Sequence, residues 1–329
     1  MASCNPETFE THHSTLFVAR YIAYIMKNPL VLEIKGNSLD DGPGIRSVVF
    51  FKGCPLSCLW CHNPESKRPG VEIAFDAAEC VGCGTCLETC QEAALSRENP
   101  FYIERSKCSL CFECVATCPS KALSRVGEPL SVEEIVSIVL RDKLFFQNSG
   151  GGVTLSGGEP TLSMAFACDL LAQLKREGIH TLLETCGMFD WTAFEQTLYS
   201  LLDMIYFDIK LMDDDKHRHY CGTSNDVILN NFSLLYRRFQ EGGVEILPRT
   251  PLIPGITDTN ENLRAIVDFL KSVGAEKTEL LEYHPMWCEK NRKLGLAMPI
   301  GEPADLEYFS SRQHLAACRQ VFLDAGIQA

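Results

Sequence analysis

Eleven cysteines crowd into residues 54–118 of this chain, in three evenly spaced runs. Cysteines that only pack a core are scattered, whereas ligands to metal recur at short fixed intervals. Seventeen cysteines in 329 residues could instead mean disulfides, so the start of the chain matters. Residues 1–15 lack a basic n-region, and no small-residue cleavage site follows the apolar stretch Leu16–Leu30. That stretch carries Arg20, Lys27 and Pro29 and is too short to span a bilayer. The expected setting is therefore a reducing, anaerobic cytoplasm, where dense cysteine usage means metal. The net charge of −13 argues against nucleic acid or an anionic membrane as partner, since both are bound through excess Lys and Arg. Residues 1–29 are expected to be an N-terminal extension. Met26-Lys27-Asn28-Pro29-Leu30 leads into the first strand-like run, which would leave 1–25 dispensable and outside the native start.

Two of the runs match each other. Cys80-x2-Cys83-x2-Cys86-x3-Cys90 is followed by Cys108-x2-Cys111-x2-Cys114-x3-Cys118-Pro119, the arrangement of bacterial two-cluster ferredoxins. Three thiolates spaced by three wrap one face of a cubane, and the distant fourth ligates the other cluster. This assigns Cys80, Cys83, Cys86 and Cys118 to one [4Fe–4S] cluster, and Cys108, Cys111, Cys114 and Cys90 to a second. Gln91 stands where the first half would usually have proline. The first run, Cys54-Pro-Leu-Ser-Cys58-Leu-Trp-Cys61-His62, offers only three thiolates. One iron of a third cluster would stay open to a substrate, by the logic that separates catalytic from structural zinc. Zinc remains the alternative at all three places, with His62 as a fourth ligand in the first.

After residue 130 short apolar runs alternate with amphipathic stretches of 3.6-residue periodicity, such as Thr161–Glu177 and Glu261–Val273. The runs are Gly152–Leu155, His180–Glu184, Met204–Leu211, Val244–Arg249 and Thr278–His284, and Ser47–Phe51 precedes them. Six strand–helix units imply a parallel sheet two units short of a full barrel. The expected fold is thus α/β, a partial (βα)6 TIM-like barrel over 30–75 and 125–329, ending in a helix Ala304–Ala325. Residues 76–124 would form an inserted two-cluster ferredoxin-like domain. In such folds chemistry gathers at the C-terminal ends of the strands.

The polar motifs fall at those ends. Ser156-Gly157-Gly158-Glu159-Pro160 follows one strand, with paired glycines that let a ligand approach bare backbone. Phe207-Asp208-Ile209-Lys210, Arg249 and His284 end three more. Cys-x3-Cys-x2-Cys after a strand, with Gly-Gly-Glu downstream, resembles the radical S-adenosylmethionine superfamily. Asp41-Gly42-Pro43-Gly44-Ile45-Arg46, Cys58-Leu-Trp-Cys61-His62-Asn63-Pro64-Glu65, and Asp208-Ile209-Lys210 with His217 and Gly222 downstream narrow the resemblance to the activating enzymes of glycyl-radical enzymes. It covers residues 30 to about 290. The double-cluster insert is similar to the larger branch of that family, which activates lyases, decarboxylases and dehydratases.

The resemblance implies three [4Fe–4S] clusters and S-adenosylmethionine, reductively cleaved to a 5′-deoxyadenosyl radical that takes hydrogen from a glycine of a partner enzyme. It implies that Cys54, Cys58 and Cys61 hold the reactive cluster. Trp60, Cys61, His62, Gly157, Gly158, Glu159, Asp208, Ile209, Lys210 and His284 would contact S-adenosylmethionine, and Arg249 would neutralise its carboxylate. Glu184-Thr185 and Asp208 lie where the family can hold a monovalent cation, although Glu184 replaces the more usual Asp. Asp41 would be either a turn residue or a contact to the incoming glycine loop. The glycyl radical lies in trans, because Arg125-Val126-Gly127-Glu128 only superficially resembles a target site. The insert would pass electrons from a reduced ferredoxin or flavodoxin. Cys4, Cys168, Cys186, Cys221, Cys288, Cys318, His12, His13 and His314 have no cluster spacing and read as core or surface residues. Two rivals stay open: a radical enzyme acting on another substrate, such as a ribonucleotide reductase activase or a peptide modifier, and an iron–sulfur electron carrier.

Overall fold

The computed structural model describes residues 29–296 and 304–329. Most of the expected extension, with Cys4, His12 and His13, lies outside them. The described residues form ten strands: β1 Leu30–Ser38, β2 Arg46–Phe51, β3 Glu72–Phe75, β4 Leu123–Val126, β5 Glu128–Pro129, β6 Gly152–Gly157, β7 His180–Thr185, β8 Met204–Asp208, β9 Glu245–Leu252 and β10 Glu279–Glu282. Eight form one sheet in the order β10-β9-β8-β7-β6-β2-β1-β5. From β2 to β10 every neighbouring pair is parallel. The six runs read from the sequence are these six strands, and the chain folds as a partial (βα)6 barrel.

Strands buried on both faces read as continuous apolar runs, and Gly152–Ser156 is buried throughout. Helices Met164–Arg176, Asp226–Gln240 and Asn260–Ser272 turn Leu170, Phe232 and Ile266 onto the outer face of the sheet. Each cover helix needs a start signal, and Val132–Val139 shows one in full. Ser131 accepts from the Glu134 amide while Glu134 accepts from Ser131, a reciprocal cap.

Two features differ from expectation. β1 and β5 extend the β2 edge antiparallel, a flank outside the six units. The last helix is Arg312–Asp324, not Ala304–Ala325: Ser311 caps it through the His314 amide, and Ala304–Glu307 is a separate 3-10 turn.

Opposite the strand C-termini the barrel is stoppered. Arg46, fully buried, donates from Nε to Thr154 Oγ1 at 2.6 Å and from Nη2 to the Val153 carbonyl at 2.8 Å. The Asp41-Gly42-Pro43-Gly44 turn packs over it: a Cβ on Gly42 would lie 2.6 Å from Leu182 and 2.9 Å from Arg46.

Between β3 and β4 the chain leaves the barrel. These strands pair antiparallel, Glu72 opposite Val126 and Phe75 opposite Leu123, so residues 76–122 hang from a two-stranded stem. A small core of Ile73, Cys86, Tyr102, Ile103, Cys114 and Leu123 fills this segment apart from the main core. Its helices are single turns, Thr85–Thr89 and Glu113–Ala116. Each starts after a left-handed residue, Gly84 at φ 82° and Phe112 at φ 61°, set between the second and third cysteines of its run. Matched spacing has folded into matched local structure.

Candidate functional site

The strand C-termini and the first cysteine run enclose a cavity of about 340 Å³. The run leaves β2 through Gly53 and is held there by backbone bonds. Gly53 N–H donates to the Ser66 carbonyl at 2.6 Å, and Glu159 N–H to the Gly53 carbonyl at 2.8 Å. On the other side Ser57 N–H donates to the Cys221 carbonyl and Leu59 N–H to the Tyr220 carbonyl, both at 2.9 Å. The loop carrying Cys54, Cys58 and Cys61 is therefore clamped between the β6 turn and the end of helix Asp214–Cys221.

Of the residues singled out from the sequence, Cys54, Cys58, Trp60, Cys61, His62, Gly157, Gly158, Asp208, Lys210, Arg249 and His284 line this cavity. Two do not. The buried Glu159 carboxylate accepts from the Thr161 amide and hydroxyl, from Thr185 Oγ1 at 2.9 Å and from the Cys186 amide at 2.7 Å. It ties β6 to β7 and is spent on that bond set. Ile209 is buried in the core, and its N–H donates to the Arg249 carbonyl at 2.8 Å.

Charge in the cavity is arranged as a chain. Arg249 Nη1 donates to Glu184 Oε1 at 2.6 Å, while its Nε and Nη2 reach Asp208 Oδ1 at 3.1 and 3.0 Å. Lys210 Nζ meets Asp208 Oδ2 at 3.2 Å. The Arg249 guanidinium also lies 4.9 Å from the Tyr206 ring centroid. Burial alone would push the Lys210 ammonium down, but Asp208, with Cys58, Cys186 and Cys221 nearby, outweighs it and holds it above its ordinary value. Burial likewise opposes charge on Asp208, yet Lys210 and Arg249 keep its carboxyl below the usual range. Burial first, then Lys290, lowers His62, whose ring meets His284 edge-on at 5.8 Å. Glu184 is engaged by Arg249 and Ser156, and Thr185 Oγ1 by Glu159, so the groups considered for a cation are already paired.

Two cysteines without cluster spacing belong to this place. Cys221, fully buried, donates its thiol to Cys58, and that bond brings Cys58 down to about 7 against the opposing effect of burial. Cys186 follows β7, lines the cavity and meets Cys54; that contact, with burial, raises its own thiol. Burial pushes Cys61 up to about 12. No spacing rule could have found Cys186 and Cys221, because their partners lie on other elements. Asp41 reaches a neighbouring hollow that shares His62, Asn63, Ser156 and Glu184 with the main cavity. Its backbone also serves the turn, accepting from Thr154 Oγ1 at 2.8 Å.

The hanging segment holds two further cavities. Cys80, Cys83, Cys86 and Cys118 line one; Cys90, Cys108, Cys111 and Cys114 line the other. Each draws three cysteines from one run and one from the other run.

With that geometry in view, similarity to known proteins is informative. Residues 99–270 match the radical SAM superfamily, and residues 40–95 match a 4Fe-4S single cluster domain. The isethionate sulfite-lyase activating enzyme of Oleidesulfovibrio alaskensis is 41% identical over 279 residues, 83% of this chain and 89% of that one. The trans-4-hydroxy-L-proline dehydratase activating enzyme of Clostridioides difficile is 41% identical over 271 residues, 81% of this chain and 88% of that one. The choline trimethylamine-lyase activating enzyme of Oleidesulfovibrio alaskensis is 35% identical over 289 residues, 85% and 92% of the two chains.

Proposed function

The chain belongs to the radical SAM superfamily and, within it, to the activating enzymes of glycyl-radical enzymes, and we propose on that premise how its residues divide the work of making a glycyl radical on a partner protein. When bound, the cluster and S-adenosylmethionine supply the chemistry: one electron cleaves the sulfonium to methionine and a 5′-deoxyadenosyl radical, which takes hydrogen from a backbone glycine of the partner.

One observation carries the reading. A loop with three cysteines, one short of a full cubane set, faces a cavity whose other walls hold a fixed array of positive and negative groups. The residues fit the implied groups. Cys54, Cys58 and Cys61 would hold the cluster, leaving one iron for the methionine amino and carboxylate groups. Arg249 and Lys210 would meet the carboxylate, with Glu184 and Asp208 orienting both cations. Gly157 and Gly158 would receive the methionine end on bare backbone. His62, Trp60 and His284 would flank the nucleoside and keep water out. Arg249 pairs with Glu184 and Asp208, two of the groups considered for a monovalent cation.

The hanging segment, residues 76–122, would carry two more [4Fe–4S] clusters on the cysteine sets already grouped, giving three in all. Full ligation leaves these two no iron for a substrate, which favours a relay from a reduced ferredoxin or flavodoxin. Among the described residues no helix is long and apolar enough to cross a membrane.

Anaerobic reconstitution with iron and sulfide, then dithionite and S-adenosylmethionine, tests the core reading. 5′-Deoxyadenosine is expected, with a glycyl signal in the partner's electron paramagnetic resonance spectrum; a protein that takes up iron and yields neither is a carrier only. Cys83→Ala combined with Cys111→Ala should abolish turnover with the natural reductant, and unchanged turnover would reduce the segment to a structural role.

A further inference from the structure

We propose that Tyr102 sets the reduction potential of one cluster in the hanging segment, an inference that rests on reading its eight cysteines as cluster ligands. Tyr102 is 9% exposed, its hydroxyl lies 3.1 Å from Cys86 Sγ, and its ring stacks on Phe75 at 4.0 Å between centroids. A cysteine that ligates iron is a thiolate and carries no proton, so Tyr102 must be the donor in this bond. Weaker hydroxyl contacts surround the same cavity: Thr85 Oγ1 to Cys83 Sγ at 3.5 Å, and Ser120 Oγ to Cys118 Sγ at 3.8 Å. At the other cavity the contact to sulfur is a backbone one, Ala94 N–H to Cys90 Sγ at 3.4 Å.

Cations stand beside both cavities, the second having Arg125 4.7 Å from the centroid of its Phe112 ring as well as Arg105. Arg97 sits beside the first cavity, donating to the Gly82 carbonyl at 2.9 Å, and Arg105 beside the second, donating to the Ile73 carbonyl at 3.0 Å. Among the described residues the Tyr102 hydroxyl, at 3.1 Å, makes the shortest hydrogen bond to a cysteine sulfur of either set. A hydrogen bond to a cluster thiolate stabilises the more negative, reduced state and raises the potential. The cluster gains one electron, Tyr102 keeps its proton, and no covalent bond changes. Tyr102 therefore biases an electron entering the segment towards the cluster of Cys80, Cys83, Cys86 and Cys118.

The test is a redox titration of the full-length, anaerobically reconstituted protein, followed by electron paramagnetic resonance. Tyr102→Phe keeps the ring and its stack on Phe75 and removes only the donor. Cys83→Ser identifies the signal that belongs to this cluster. In Tyr102→Phe that signal alone should become harder to reduce, by about tenfold in the equilibrium, or about 59 mV for one electron. Iron and sulfide content should match the parent protein. No shift, or an equal shift of every cluster, overturns the proposal. Loss of iron with an unshifted potential in what remains also overturns it, because Tyr102 would then only pack. A parent protein holding about four irons per chain would remove the underlying cluster assignment instead, a result read before any variant is made.

Discussion

Arg249 is the residue on which the charge of the cavity turns. With Glu184, Asp208 and Lys210 it forms a closed set of two cations and two anions before any ligand enters. A buried charge that loses its partner is costly, so this set has to stay complete. Arg249→Lys keeps the charge but loses the fork that reaches both carboxylates. S-Adenosylmethionine affinity should fall by about 10- to 100-fold, the scale of one or two charged hydrogen bonds. Anaerobic equilibrium binding measures this, and unchanged affinity would leave Arg249 as a clamp on β7 and β8 only. Asp208 adds a pH signature. Its folded carboxyl is depressed, so its contribution to stability is complete above the unfolded carboxylate value and is lost as pH falls through the lower folded one. Asp208→Asn should therefore flatten the acid limb of a stability-versus-pH curve. Arg249, Asp208, Lys210 and His284 were legible in the sequence because polar residues closing apolar runs must point somewhere other than the core. The direction of Glu159 was not, since nothing in Gly-Gly-Glu says that its carboxylate turns back towards Thr185 and Cys186. The paired thiols of Cys186 and Cys221 were hidden for a similar reason.

Between elements, glycines govern how closely the cysteine loop is seated. Gly222, the C-cap of helix Asp214–Cys221, has φ 85°, and a Cβ there would lie 2.1 Å from Ser57 Oγ. Gly158 is as tight, and against backbone, with a Cβ falling 2.1 Å from the Gly53 carbonyl oxygen. Gly222→Ala should cost about 1–3 kcal/mol through backbone strain and the displaced loop. A lowered melting temperature would accompany poorer iron retention at Cys54, Cys58 and Cys61. A wild-type melting curve would show the contact to be loose. The parallel strands were readable at this scale because burial on both faces writes a continuous apolar run. The strand-like run after Leu30 was readable as well, but its antiparallel pairing and β5 were not, because such an edge is half polar and its partner returns about a hundred residues later. The end of the chain was misread as one helix because its periodicity runs through Ser311, where a side-chain cap restarts it.

At the scale of the whole molecule, ion pairs join the hanging segment and its stem to the barrel, and in two of them burial decides which matters. Lys52, its side chain fully buried, meets Glu72 on β3 at 2.7 Å and the Glu65 carbonyl at 2.6 Å. Lys293 meets Asp76 at 2.7 Å with both partners part-exposed. Lys52→Ala should destabilise by about 1–3 kcal/mol, because Glu72 loses its buried partner and keeps only the more exposed Arg68 at 3.2 Å. Lys293→Ala should cost at most about 1 kcal/mol, since solvent screens that pair. Thermal denaturation of both variants checks the contrast, and equal losses would contradict it. The crossed grouping of cysteines has a consequence for assembly. Because each of the two small cavities borrows its fourth cysteine from the opposite run, neither can close while the other run is unfolded. Maturation of the segment should then behave as a single event, in which chains along a loading series hold both centres or neither, and half-built forms stay scarce.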